Sequence, residues 1–147
     1  MRIAALVALG VLVGACEEDT CPKIDGSLPV SYDMDFDDVR IRKFTQQIEI
    51  SYVRDGTPEE VALKIAVDFT ENDIRVDQPV ELGDDNVDRS VQNGTTFPPI
   101  CTDRPSNITF DEYGENAGDT LSGEWRLCFS TGLDGVGCFD GELQVID

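Results

Sequence analysis

The sequence predicts an all-β chain. Apolar residues recur at every second position in several short runs, most clearly at Val61, Leu63, Ile65, Val67 and Phe69. Gly, Pro, Asn and Asp gather between those runs, in "DQP", "GDDN", "QNGTTFPP", "DRPSN" and "ENAGD". Side chains on a strand point to alternate faces, so a period of two marks a half-buried strand. Several such strands with turn residues between them point to an antiparallel sandwich or barrel.

The first run, Val30, Tyr32, Met34 and Phe36, is read as a strand. Ile48, Ile50 and Tyr52 alternate with Glu49 and Ser51, and "RDGTPEE" connects them to the run at 61–69 as a hairpin. Thr57-Pro58-Glu59-Glu60 also has the composition of a helix start, with a Thr N-cap, Pro in the first turn and Glu three residues on. A helix, however, would scatter 61, 63, 65, 67 and 69 around its circumference, and three of those five are β-branched, so the strand is favoured. Val80 and Leu82 flank Glu81, and Ile108 and Phe110 flank Thr109. Residues 83–107 form one long, poorly ordered stretch with a short edge strand near 87–91. Its Pro98-Pro99 pair cannot lie in a central strand.

At the C-terminal end Trp125, Leu127 and Phe129 share one strand face, with Glu124, Arg126 and Cys128 on the other. "TGLDG" turns the chain, and Phe139, Leu143 and Val145 share a face of the return strand. Setting Cys128 opposite Cys138 brings Phe139 beside Leu127 and Gly141 opposite Trp125, with all apolar residues facing one way. That register predicts a Cys128–Cys138 cross-strand disulfide and leaves Cys21–Cys101 as the second. The expected fold is an antiparallel β-sandwich, Ig-like or jelly-roll-like, with roughly eight strands and two disulfides.

Ahead of this domain, residues 3–15 contain only Ile, Ala, Leu, Val and Gly, after Arg2 and before Cys16. A membrane-spanning helix needs about 20 apolar residues, so this shorter run reads as a secretion signal. "Val13-Gly14-Ala15-Cys16" resembles the lipobox of bacterial lipoproteins, with Val13 and Gly14 where Leu and Ala are commonest. The resemblance covers the first sixteen residues. It implies cleavage before Cys16, lipidation of its sulfur and a membrane anchor, since two or more acyl chains hold a protein stably on a bilayer. The organisation expected is a signal peptide at 1–15, an acidic tether at 16–26 and one β domain at 27–147. In enterobacteria Asp after the lipidated cysteine tends to retain a lipoprotein in the inner membrane. Glu17 stands there instead, so the expected place is the outer membrane, facing the periplasm or the cell surface.

Thirty acidic residues against eleven basic ones give a net charge of −19, and loss of Arg2 with the signal would make it one unit more negative. Such a surface repels phosphate backbones, which excludes nucleic acid as a partner. Four cysteines other than Cys16 in an oxidising compartment fit two disulfides.

The chain has no histidine, which removes Ser-His-Asp and Cys-His machinery and most imidazole metal centres. No G-x-S-x-G elbow or phosphate-binding G-x-x-x-x-G-K-[ST] loop occurs. Asp84, Asn86 and Asp88 mimic the first half of a calcium loop, but Arg89 and Thr95 stand where an EF-hand has its Gly and bidentate Glu. Asp33, Asp35 and Asp37 also alternate. Asn93-Gly94-Thr95 and Asn107-Ile108-Thr109 match glycosylation sequons, expected to be coincidental in a bacterial lipoprotein. Trp125, Tyr32, Tyr52 and Tyr113 are candidates for an aromatic platform, with Trp125 and Tyr52 expected in the core. The reading is a non-catalytic binding or structural module with no cofactor, an envelope protein or glycan as possible partner, and an oligomeric state the sequence leaves open. The alternatives are a calcium-dependent adhesion or carbohydrate-binding module and a small carboxylate-based glycan-cleaving enzyme.

Overall fold

The computed structural model describes residues 20–147; Cys16 and the apolar run before it lie outside the described residues. The strands are β1 (Lys23–Gly26), β2 (Asp38–Lys43), β3 (Gln47–Arg54), β4 (Glu60–Asp68), β5 (Val80–Glu81), β6 (Val87–Ser90), β7 (Asn107–Glu112), β8 (Thr120–Cys128) and β9 (Asp134–Val145). They form one curled sheet in the order β5-β7-β8-β9-β2-β3-β4-β6, with β1 added alongside β9. The two ends of that order, β5 and β6, are consecutive in sequence and only five residues apart, so the curl brings the sheet's edges together.

The described residues are nearly all β, as the periodicity predicts, and hold two disulfides, as the cysteine count predicts. All neighbouring strands are antiparallel except β2 and β9, which run parallel with Ile41 beside Leu143. The twelve-residue β9 makes this possible: its first part pairs with β1, its last residues pair with β2, and β8 runs along its other flank.

The β3–β4 hairpin forms as its alternation dictates. Ile48 faces Val67, Ile50 faces Ile65 and Tyr52 faces Leu63, and all six are fully buried. Each such side chain contributes about 1.5–3 kcal/mol relative to its exposed state. A bulge between Tyr52 and Val53 shifts the register, which lets Val53 and Ala62 be buried as well. The other wing supplies Ile108, Phe110, Leu121, Trp125, Leu127 and Phe139 to the same core. The expected edge strand forms at 87–90, where it pairs with β4, and Pro98-Pro99 falls outside every strand.

Three expectations are corrected. Residues 30–36 are not a strand: Leu28–Ser31 is a single helical turn with Pro29 at its start, and 33–36 run unpaired. Pro29 fixes a helical φ and lacks an N–H, which suits a first turn rather than a ladder. The burial alternation survives, with Met34 buried and Asp33 and Asp35 exposed, while Val30 projects into solvent.

The β8–β9 register is also different. Cys128 pairs with Asp134, and Glu124 pairs with Cys138. The turn is tighter than the glycines of "TGLDGVG" imply, because Gly135 and Gly137 belong to the strand and only 129–133 turn the chain. The register moves by four residues, an even number, so the faces are unchanged while the partners are not.

With that shift Cys128 and Cys138 stand too far apart to bond. The disulfides are Cys21–Cys138 and Cys101–Cys128, with Cα–Cα distances of 5.7 and 5.4 Å. Lys23–Gly26, read from sequence as the end of the tether, pairs with β9 as β1 and carries Cys21 to Cys138.

Candidate functional site

The predicted acidic sites are occupied by the fold itself. Asp84 accepts the Ile100 N–H at 2.6 Å, and the Asn86 side chain accepts from Gly83 and donates to the Ala66 carbonyl at 2.8 and 2.9 Å. Asp88 accepts the Arg89 N–H and faces Lys64. Asp33 accepts from the Asp35 N–H and the Arg54 guanidinium, which hold its carboxyl below the usual aspartate range, while Asp37 accepts the Asp55 N–H. Neither triplet converges on a point. Among the described residues, the Cys, Asp and Glu side chains that come within mutual reach as a threesome are Cys101, Asp103 and Cys128, whose two sulfurs are bonded to each other.

The aromatic candidates turn inward or onto one another. Trp125 and Tyr52 are buried in the core. Tyr32 packs against Phe97 at 5.1 Å and lies under the Arg89 guanidinium. Tyr113 packs edge-on against Phe110. Asn93 sits at a turn with φ of 58°, and Asn107 is paired within the sheet as the first residue of β7.

What the sheet displays instead is a polar hollow of about 550 Å³ on its outer face, across β7, β8, β9 and β1. A smaller hollow of about 310 Å³ adjoins it and shares Pro105, Arg126 and Val136. The register sets the floor. One row across the strands reads Arg126 on β8, Val136 on β9 and Asp25 on β1. The next reads Glu124, Cys138 and Lys23. Strands lie about 4.8 Å apart, so the charged ends of each row are separated by roughly 10 Å across an apolar middle. The middle is half-buried Val136 and the Cys21–Cys138 bridge.

The four charges alternate in sign around that middle and sum to zero, in a chain that is strongly negative. Lys23 lies 3.3 Å from Asp25, and Arg104 crosses from the 101–106 loop to Asp134 at 3.1 Å on the rim. No hydrogen bond or ion pair among the described residues engages Arg126. The hollow therefore has charge of both signs for polar recognition. Glu124 and Arg126 were legible as the outward face of β8. The β1 half was not, since "KIDG" is too short to show a period and only its pairing to β9 brings Lys23 and Asp25 to this face.

Beneath the hollow runs a buried hydrogen-bond chain. Trp125 Nε1 donates to the Tyr52 hydroxyl at 2.7 Å, and that hydroxyl donates to the Cys138 carbonyl at 2.8 Å. It ties both wings to the disulfide-bearing segment of β9. Among the described residues no helix is long and apolar enough to cross a membrane. Comparison with protein-family models, curated proteins and solved structures finds no match for this chain.

Proposed function

We propose that this chain is a lipid-anchored protein of the bacterial cell envelope, placed in the outer membrane, whose β body is a non-catalytic binding or structural module. The observation that carries the reading is the pair of disulfides that accounts for every cysteine beyond Cys16. Such bridges persist in oxidising compartments and are rare in the cytosol. Cys16 is then the one thiol left over, at the end of a lipobox-like run and five residues from Cys21. The polar hollow at the point where the tether meets β1 supplies a face for recognition.

Cys16→Ser tests the anchor. The unaltered protein is expected to incorporate a fatty-acid probe and to sediment with membranes, and the variant to do neither while keeping both disulfides. Membrane retention of the variant, or free thiols at Cys21, Cys101, Cys128 or Cys138 in native material, overturns the reading.

A further inference from the structure

We infer that the outer face of β1, β9 and β8 pairs with the same face of a second copy of this chain, about a two-fold axis that runs along β9. The inference rests on the charge pattern that the register imposes. Arg126 and Asp25 stand at opposite ends of one row, Glu124 and Lys23 at opposite ends of the next, and signs alternate around the square. A two-fold axis along β9 exchanges the two ends of each row. It lays Arg126 of one copy over Asp25 of the other and Glu124 over Lys23, with the two Val136 side chains facing each other across the joined hollows. Four cross-copy pairs of opposite sign and an apolar centre result. A closed dimer demands this self-complementarity of a single patch.

Charge also permits this face to meet its own copy. Two chains that each carry a net charge near −19 repel wherever acidic surfaces meet. The square sums to zero, and Arg126 has no partner of its own among the described residues. Facing sheets keep their strands within about 30° of alignment, which this axis satisfies. An axis across the strands would also match signs, setting Arg126 over Glu124, but it would send the two tethers out at opposite ends. The axis along β9 sends both out at one end, toward one membrane. That choice of axis rests on the lipid anchor proposed above; the complementarity of the face does not. Like-charged contacts remain along the axis: Asp134, Asp140 and Glu142 share the outward face of β9 with Val136 and Cys138 and fall near their own copies, with Asp134 already paired to Arg104. The patch is small, so the association is weak in solution, and two-dimensional confinement by a lipid raises its effective concentration.

The test uses the full chain with Cys16→Ser, so that no lipid contributes, in ~0.15 M salt, where charges more than about 8 Å apart are screened. Sedimentation equilibrium up to roughly 1 mM is expected to show the mass rising toward twice that of the monomer. Arg126→Glu and Asp25→Arg are each expected to weaken association by about tenfold or more, because each puts like charges together twice. An equimolar mixture of the two variants restores both contacts and forms a dimer at least as tight as the parent, while Asp140→Asn alone tightens it. A parent that stays monomeric throughout, or a mixture no tighter than either variant alone, overturns the proposal. Recovery by mixing Arg126→Glu with Glu124→Arg instead overturns the axis. Failure of the Cys16→Ser protein to leave the membrane bears on the anchor and is read in a separate assay.

Discussion

The Trp125 indole N–H donates to the Tyr52 hydroxyl at 2.7 Å, joining β8 to β3 through the centre of the core. The residues are 73 positions apart in sequence, and they bring the two wings of the curled sheet into register with each other. Tyr52 also packs edge-on against Phe36 at 5.0 Å, which draws the unpaired 33–36 segment onto the core. A hydroxyl in a fully buried ring is tolerated because it both accepts and donates, leaving no polar group without a partner.

Tyr52→Phe removes that hydroxyl, strands the buried Trp125 N–H and takes one donor from the part-buried Cys138 carbonyl. An unpaired buried group costs about 1–3 kcal/mol and the lost bond to the carbonyl adds to it, so a loss of about 2–4 kcal/mol is expected in urea unfolding. The pH profile gives a second signature. Burial pushes the Tyr52 phenol above the usual tyrosine range, and the bond from Trp125 offsets part of that. A pKa raised by folding contributes stability that is complete below the unfolded value, about 10, and is lost as pH climbs beyond it. Burial raises Tyr113 in the same direction. Stability is therefore expected to fall steeply above pH ~10 in the parent and less steeply in the Phe variant. Equal slopes would mean that Tyr52 ionises as freely folded as unfolded.

Gly137 lies opposite Trp125, and a Cβ there would run into the indole and come within 2.6 Å of the Lys23 carbonyl. At Gly141 the nearest atom to an added Cβ is the flexible tip of Ile41, at 3.3 Å. Gly137→Ala is expected to cost about 2–3 kcal/mol and Gly141→Ala under about 1 kcal/mol, measured as shifts in the urea midpoint. The order would reverse if Gly141 lay beneath the indole, so the pair of variants reads the register directly.

That contrast shows how far the sequence reaches. Alternation at 48–52, 61–69 and 124–129 identifies strands and their inward faces, because side-chain direction is a local property of the backbone. The pairing of strands is not local. A shift of four residues between β8 and β9 keeps every apolar side chain inside, so patterning cannot distinguish a Cys128–Cys138 register from the Cys128–Asp134 one that forms. The disulfide pairing inherited that ambiguity. Residues 30–36 mislead differently: Met34 and Phe36 alternate inward without a ladder, with Arg54 and Asp35 satisfying Asp33 in place of a neighbouring strand. The polar hollow required both the β1 pairing and the β8–β9 register, so only its Glu124 and Arg126 side was visible in the chain.

Non-reducing peptide mapping is expected to recover Cys21 joined to Cys138 and Cys101 joined to Cys128. The two bridges differ in what they constrain, with sequence separations of 117 and 27. On the chain-entropy model, removing the first by paired Ala substitutions costs about 5 kcal/mol and removing the second about 3.5 kcal/mol. Against a total stability of about 5–15 kcal/mol the first loss leaves the fold marginal. Equal losses in denaturant would indicate that the long loop closed by Cys21–Cys138 is already restrained in the unfolded chain.

Arg89 fastens the 91–100 segment to the body, and it does so with geometry that only a guanidinium provides. Its central carbon lies 5.0 Å from the Tyr32 ring centre and 5.2 Å from that of Phe97. Its two terminal nitrogens donate to the carbonyls of Asp33 and Thr95 at 3.2 and 3.3 Å. Burial, followed by the neighbouring Arg54 charge, lowers the Arg89 pKa from its usual value, and the two rings and the carbonyls offset that cost to the cation. Lysine keeps the charge but has one compact head in place of a planar fork, so it cannot lie between two rings while reaching two carbonyls. Arg89→Lys is expected to cost about 1–2 kcal/mol. The loss should be local: amide exchange at 91–97 accelerates by about tenfold, while β8 and β9 retain their protection. Acceleration spread evenly over the chain would show that Arg89 supports the whole sheet, and none at 91–97 would show that the prolines and the Cys101–Cys128 bridge hold that segment without it.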